Sequence, residues 1–500
     1  MKIKAKPTSW NKIESGLLCV FLSEDGWEKE VLQYKSAVGT DVIKLLTAEK
    51  FTAKFGSLEM LPTFGRIPSS YILFLGLGKK AEFDLNKLRL LAAKIGKLAK
   101  TKHKATVAVD LSFDLFKFNY ADTAQSATIG LILGAYEFSK YKSKKDEPDN
   151  VDTEAALLVP AGRLQHTANG LTQGQISAAA TVFARDLVNE SPTVTTPTYL
   201  SLVAKNLAKK DGVQVEILEE KDCRKLGMNS YLSVSRGSSE PPKFIYLTYK
   251  GGLPAQVGGL KKIAVIGKTI TFDTGGLSLK DAKNMETMKL DMAGGAAVLG
   301  LFSILSQLKP KVTIYGILPA TENMPGSRAI KPGDVVRAAN GKSIEILNTD
   351  AEGRMTLADG LDFAEKLKPD YMIDLATLTA ACIVALGEDI AGLFGSSEDL
   401  LNKTKLAAKH SGEKVWELPL EEDYKADMEG TISDLRNVSK TRSGGAITAA
   451  LFLKEFIDKT PWVHLDIAGP AWEEKGTDLT PQGGTGFGAR ILIELIKILA

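Results

Sequence analysis

Seven consecutive residues, Asn348-Thr349-Asp350-Ala351-Glu352-Gly353-Arg354, place two carboxylates and a guanidinium between a strand-like run (Ser343 to Leu347) and a helix-like run (Met355 to Lys366). Upstream stand Lys268, Asp273, Lys280 and Asp291, so the combined set offers four carboxylates, two amines and one guanidinium. Hard divalent cations prefer oxygen ligands, and two such ions can clamp the attacking and leaving oxygens of a hydrolysis. Asp273, Asp291, Asp350 and Glu352 would hold such a pair. An amine beside two cations loses its proton easily, because like charge and desolvation both depress its pKa. One lysine would thus serve as a neutral nitrogen ligand. The other, further out and still charged, would stabilise the oxyanion formed as water adds to a carbonyl. No histidine is needed, and the chain has only four.

Competing chemistries find less support. An isolated Asp-x-Glu is usually a solvated turn, and Asp273 ahead of Gly275-Gly276 also fits a turn. It is the joint occurrence of the motifs that argues for a site. The three cysteines form no C-x-x-C pair, there is no G-x-S-x-G elbow, and Gly267-Lys268-Thr269 lacks the earlier glycine of a phosphate-binding loop, since Lys262 stands there. A two-metal phosphoesterase could use the same carboxylates. His464, in the run Trp462 to Ile467, reads as a core histidine satisfied by backbone.

Several blocks together resemble the leucyl (cytosol) aminopeptidase family, the M17 metallopeptidases. They are the unbroken NTDAEGR at 348–354, the segment Gly267 to Lys280 containing Thr271-Phe272-Asp273-Thr274-Gly275-Gly276, and Lys289-Leu290-Asp291-Met292-Ala293-Gly294-Gly295. Further matches are Ala184 to Glu190, Glu322-Asn323-Met324-Pro325, Asp374 to Thr379, His464 to Gly469 and Thr485 to Gly488, so the likeness covers roughly 180–490. The resemblance implies a metal-dependent aminopeptidase that removes N-terminal, leucine-like residues from peptides through a two-metal-activated water. It implies Lys268 as the neutral amine ligand, Asp273 and Glu352 as bridging carboxylates, and Asp291 as a ligand that also meets the substrate's amino terminus. Asp350 would complete the second, more exchangeable metal site. Lys280 would polarise the scissile carbonyl, and Arg354 would hold a bicarbonate acting as base. Met288, Thr377, Leu378, Ala380, Ala468 and Ala471 would line the pocket for the first side chain. The family usually has glycine where Ala380 stands, which narrows that pocket, while Ala471 gives room back. Mn²⁺ or Zn²⁺ cofactors, a cytoplasmic homohexamer and a two-domain α/β architecture are implied in the same way.

Composition bounds the remainder. A hydrophobic content of 44%, a charged content of 25% and a net charge of +3 are ordinary for a globular chain and imply no acidic partner. No apolar run reaches ~18 residues, which argues against a membrane span. The amino-terminal segment does not read as a secretory signal, and unpaired cysteines suit a reducing compartment. Some bacterial relatives also bind DNA. The lysine-rich segment Lys94 to Lys104 is where such a role would fall here, although a solvated helix face is the simpler reading.

The elements that must position these groups alternate. In the first part, β-type runs at Gly16 to Leu22, Tyr71 to Leu77, Ala105 to Leu111 and Glu154 to Pro160 are interleaved with helices at Leu85 to Ala99 and Ala127 to Phe138, and Lys142 to Asn150 reads as a charged loop. A helix from about Gln173 to Val188 leads onward. Residues 1–170 form a smaller N-terminal α/β domain, oligomeric or regulatory in role, and residues 171–500 the larger catalytic domain. Strand-like runs at Val213 to Leu218, Phe244 to Thr248, Lys262 to Gly267, Val312 to Leu318, Ile344 to Leu347, Tyr371 to Leu375 and Trp462 to Ile467 predict a mostly parallel sheet flanked by helices. Asp273 and Asp350 would follow the carboxyl ends of two of these strands, where ligands bind in such folds.

Overall fold

The structure, a computed structural model, describes residues 1–39, 41–102, 106–112, 118–143, 153–210, 212–251, 259–441 and 443–500. It divides into two compact units. One comprises Met1–Ala178 with Gly476–Pro481, the other Ala179–Lys475 with Gln482–Ala500.

The first unit is a six-stranded sheet built from β1 (Lys2–Lys6), β2 (Leu17–Leu22), β3 (Leu58–Pro62), β4 (Tyr71–Gly76), β5 (Thr106–Asp110) and β6 (Glu154–Leu158). Its order is β1-β6-β5-β2-β4-β3, and every pairing is parallel except β3 with β4. All six residues of β2 are buried, as a central strand covered on both faces requires. The helix Leu85–Thr101 starts where the Asp84 carboxylate accepts from Lys87 N–H at 2.7 Å, and it packs its apolar face on the sheet. Its lysines have local partners: Lys94 donates to Gly56 O at 2.9 Å, Lys97 pairs with Asp478 at 3.2 Å and Lys100 with Glu137 at 2.8 Å. That is how a solvated helix face behaves. The end of the basic segment, His103 and Lys104, lies outside the described residues, as do Ala105 and most of the expected charged loop at 142–150. The second expected helix begins earlier than its apolar core, at Tyr120, and ends at Gly134.

The helix expected from Gln173 begins at Leu164 and runs to Asn189. Beyond it lie β7 (Val213–Leu218), β8 (Lys243–Lys250), β9 (Lys262–Gly267), β10 (Thr269–Asp273), β11 (Thr313–Asn323), β12 (Val335–Arg337), β13 (Ser343–Glu345), β14 (Tyr371–Ala376), β15 (Ile390–Gly395), β16 (Lys414–Glu417), β17 (Leu435–Arg436) and β18 (Trp462–Asp466). The main sheet runs β16-β15-β18-β14-β9-β11-β8-β7, with β10 added beside β11. Its centre, β18-β14-β9-β11, is parallel, while β8 runs antiparallel to both β11 and β7, and β15 antiparallel to β18. The helices Ala293–Leu308 and Glu352–Lys366 pack on it. The segment Met288–Leu308 is long and apolar enough by composition to cross a membrane, but it carries Lys289 and Asp291 and 89% of its apolar window is buried inside the protein. It is a core element.

Two expectations need correction. The run leading to Asp350 is not a strand of the main sheet. β13 belongs to a separate sheet, β12-β13-β17, and only two of its residues pair with β17. Nor does Asp273 simply follow β9. The chain breaks at Lys268, whose N–H bonds Leu375 O at 2.9 Å, and resumes as β10 along the far end of β11. Asp273 is the last residue of that second strand.

Candidate metal centre

Four elements converge beyond the carboxyl ends of the central strands. Lys268 occupies the β9–β10 break and Asp273 ends β10. Asp291 lies in the short 3-10 turn Met288–Met292, and Glu352 opens the helix Glu352–Lys366, where a carboxylate suits the positive end of the helix dipole. All the proposed ligand side chains except Asp350 are almost fully buried.

The two lysines divide the four carboxylates between them. Lys268 Nζ stands 2.8 Å from Asp291 Oδ1 and 2.8 Å from Glu352 Oε1. Lys280 Nζ is 3.0 Å from Asp273 Oδ2 and pairs closely with Asp350. Lys280 was expected further out. It instead lies directly against two of the acids, because a loop turning at Gly275-Gly276 folds it back over them. Gly275 has φ of +83°, and a Cβ there would stand 2.9 Å from Asp350 Oδ1. Gly353 is constrained differently: a side chain on it would press on Lys268 Cε at 2.5 Å. One carboxylate oxygen each from Asp273, Asp350 and Glu352 lie within 4.8 Å of one another.

The cluster is electrostatically uneven. By formal charge, four carboxylates face two ammonium groups, so acids outnumber bases by two in a largely buried site. Burial, then the neighbouring carboxylates, raise the pKa of Asp273 and Asp291, with Asp291 raised well above its ordinary value; burial and Asp273 raise that of Asp350. Burial opposes charge on both lysines, yet the surrounding acids outweigh it and hold Lys268 and Lys280 more firmly protonated than usual. The expected neutral amine therefore requires cations in the cage; among the acids alone Lys268 serves as a counter-charge. Asp291 Oδ2 and Glu352 Oε2 are buried with no hydrogen-bond partner among the described residues. Unsatisfied carboxylate oxygens, an excess of acids over bases and an all-oxygen-plus-amine donor set fit divalent cations.

Residues without an assigned role in the sequence reading hold the frame. Asn323, at the end of β11, donates to Asp273 Oδ1 at 2.8 Å and to Thr349 O at 3.0 Å. Thr349 donates to Gly275 O at 2.6 Å and accepts from Ser278 N–H at 2.8 Å, joining the two motif loops. Asn437 donates to Asn348 O at 2.6 Å, and its own carbonyl accepts from Arg354 Nη1 at 2.8 Å. Asn323 belongs to the Glu322-Asn323-Met324-Pro325 motif, whereas nothing in the sequence around Asn437 marks it.

Arg354 is buried, its guanidinium 6.0 Å from the Phe452 ring centre and its Nε without a partner among the described residues. Burial lowers its pKa to about 10. Thr377 touches the cluster directly, donating to Asp291 Oδ1 at 2.7 Å and accepting from Lys268 Nζ at 2.8 Å through its carbonyl. Leu378, Met288 and Ala468 are half-buried and Ala380 is exposed; Ala471 is buried, its N–H on Ile467 O. His464 is buried as expected, but its partner is a carboxylate rather than backbone: Nδ1 lies 2.6 Å from Asp374 Oδ1, and Trp462 Nε1 donates to Asp374 Oδ2 at 2.6 Å.

An α/β fold with an acid-and-amine cage at the ends of its parallel strands defines a metal-dependent hydrolase. Residues 182–493 match the catalytic-domain model of the cytosol aminopeptidase family (M17), and residues 19–145 match the family's N-terminal-domain model. The chain belongs to this family and is a metallo-aminopeptidase. Similar curated proteins include probable cytosol aminopeptidases of Gloeobacter violaceus, 43% identical, and Microcystis aeruginosa, 42% identical, each aligned over 99% of both chains. A solved tomato leucine aminopeptidase mutant has 34% identity and a TM-score of 0.88, covering 99% of this chain and 96% of that one. The bottromycin maturation enzyme BotP in complex with Mn has 32% identity and a TM-score of 0.85, covering 97% and 99%.

Proposed function

We propose that the chain removes leucine-like N-terminal residues from peptides, with two divalent ions, Mn²⁺ or Zn²⁺, held by Lys268, Asp273, Asp291, Asp350 and Glu352. The observation that carries this is the cage itself, in which acids outnumber bases by two and an oxygen each of Asp291 and Glu352 has no partner among the described residues. When bound, the ions supply Lewis acidity and a water acidic enough to be a nucleophile near neutral pH.

The protein's own groups do the rest. Asp291 offers its carboxylate to the substrate's amino terminus. Lys268, charged among the acids alone, would be the amine that holds a cation, since like charge nearby favours its neutral form. Lys280 donates to the scissile carbonyl oxygen, where its charge stabilises developing negative charge. Arg354, with Nη1 committed to the Asn437 carbonyl, would hold a bicarbonate, which would supply a base for the attacking water. No side-chain base is then needed. Thr377, Leu378, Ala380, Ala468 and Met288 receive the first side chain, with buried Ala471 backing the pocket. Residues 1–170 carry none of these groups and serve assembly or regulation. A cytoplasmic homohexamer belongs to the same reading.

Hydrolysis of leucine p-nitroanilide by chelator-stripped protein, before and after adding Mn²⁺ or Zn²⁺ and beside an N-acetylated control, tests the proposal. Metal-restored cleavage of the free-amine substrate alone is the expected result. Folded protein that cleaves with no metal added back, or cleaves the blocked substrate equally, would overturn it.

A further inference from the structure

We infer that Asp466 is a positioning residue that couples the pocket for the substrate's first side chain to the Lys268–Asp291 side of the cage. The inference rests on the reading of the site proposed above.

Asp466 ends β18, opposite Ala376 of β14, and is only 1% exposed. No basic side chain forms an ion pair with it among the described residues. Its charge is met instead by four donors. Oδ1 accepts from the backbone N–H groups of Leu378 at 3.1 Å, Thr379 at 3.4 Å and Ala468 at 3.2 Å, and Oδ2 accepts from the Thr379 hydroxyl at 2.6 Å. One carboxylate thus fixes both backbone segments, 377–380 and 467–468, that the pocket assignment uses.

The link to the cage is a single peptide group. The Leu378 N–H held by Asp466 and the Thr377 carbonyl held by Lys268 Nζ at 2.8 Å are the two ends of one planar unit. Fixing one end fixes the other. The same residue's hydroxyl donates to Asp291 Oδ1 at 2.7 Å, so Thr377 orients an amine and a carboxylate of the cage together. Thr379 extends the linkage, because its hydroxyl also caps the helix Ala380–Leu386 by accepting from Cys382 N–H at 3.1 Å. Without the Asp466 charge, the bonds to the Leu378 and Thr379 N–H groups weaken and Lys268 alone orients the 377–378 peptide strongly. Both the amine–carboxylate geometry and the pocket wall would then loosen.

Asp466→Asn keeps the volume and removes the charge. In chelator-stripped protein, calorimetric titration with Mn²⁺ should show affinity weakened by about 10–100-fold, the usual consequence of losing a group that orients ligands. In the metal-loaded protein, the preference in kcat/KM for leucyl over alanyl p-nitroanilide should narrow alongside it. Thr379→Val removes a single bond of the set and should shift both readouts the same way by less; it also decides the matter if Asp466→Asn does not fold. A merely structural role would lower the melting temperature and leave Mn²⁺ affinity and side-chain preference at their wild-type values, and that result in a folded variant overturns the inference. Wild-type protein without metal-dependent cleavage would instead overturn the reading on which it rests.

Discussion

Two buried charge clusters share the main sheet and are built on opposite terms. At Asp374, each carboxylate oxygen has a dedicated donor: Trp462 Nε1 at 2.6 Å and His464 Nδ1 at 2.6 Å, with Phe394 stacked on the imidazole at 5.9 Å. At the Lys268–Glu352 cage, acids outnumber amines, and Asp291 Oδ2 and Glu352 Oε2 have no partner among the described residues. Burying a charge is costly unless its hydrogen bonds are satisfied. The first cluster meets that condition at both Asp374 oxygens, leaving only the far imidazole nitrogen, His464 Nε2, without a partner among the described residues, and it serves the fold. The second violates it, and an unmet requirement of this kind is what a cation can fill. The comparison predicts a double dissociation: changes in the cage remove activity while sparing stability, and changes at Asp374 do the reverse.

The largest expected effect is that of Glu352→Ala, which should abolish metal-supported turnover, beyond the ~10²–10³-fold loss typical of a single oxyanion donor. Full activity in that variant would refute its place among the ligands. Next is Lys280→Ala, expected to lower kcat by ~10²–10³-fold with a smaller change in KM; an effect confined to KM would contradict the carbonyl role. Asp374→Asn should cost stability, about 3–5 kcal/mol by analogy with other broken buried pairs, while activity per folded molecule persists. This deficit has a pH signature. Burial disfavours the His464 imidazolium, but Asp374 outweighs burial and raises its pKa. The stabilisation is therefore complete below the ordinary imidazole value of ~6.5 and fades as pH rises through the raised one. Melting curves should show the gap between wild type and variant narrowing with increasing pH, and a widening gap would contradict the pairing.

Two smaller effects sharpen the contrast from the other side. Arg354→Ala should remove bicarbonate stimulation while leaving residual turnover; undiminished stimulation would place the anion elsewhere. In chelator-stripped protein at neutral pH, Asp291→Asn should melt at or above the wild-type temperature. Its raised carboxyl pKa means that the folded state disfavours the ionised form, so ionisation subtracts stability above the unfolded-state pKa. A large drop in melting temperature would mean that the cage stabilises the fold after all.

How much of this was legible in the sequence follows from the range of the interactions. Central strands such as Lys262–Gly267 announce themselves as apolar runs, because both faces are covered. The cage residues lie in compact motifs whose residue types reveal their chemistry. The break at Lys268, by contrast, depends on Leu375 across the sheet, and nothing local marks it. The small sheet that carries the approach to Asp350 needs a two-residue strand about 90 positions later. His464 could be read as buried, but the carboxylate it bonds is 90 residues away. Asn437, which holds both the Asn348 carbonyl and Arg354, is an ordinary polar residue until the chain folds.

The short segment Gly476–Pro481 belongs to the first unit although some 300 residues of the second separate it from the rest of that unit. This has a consequence for how the chain is made. A ribosome extending at about 5–20 residues per second reaches Pro481 roughly 15–60 s after Ala178 has been added. Through that interval Lys97 lacks the Asp478 carboxylate it meets in the finished protein. The first unit to be synthesised is thus among the last to be completed, and a fragment cut at residue 178 would preserve that unfinished stage.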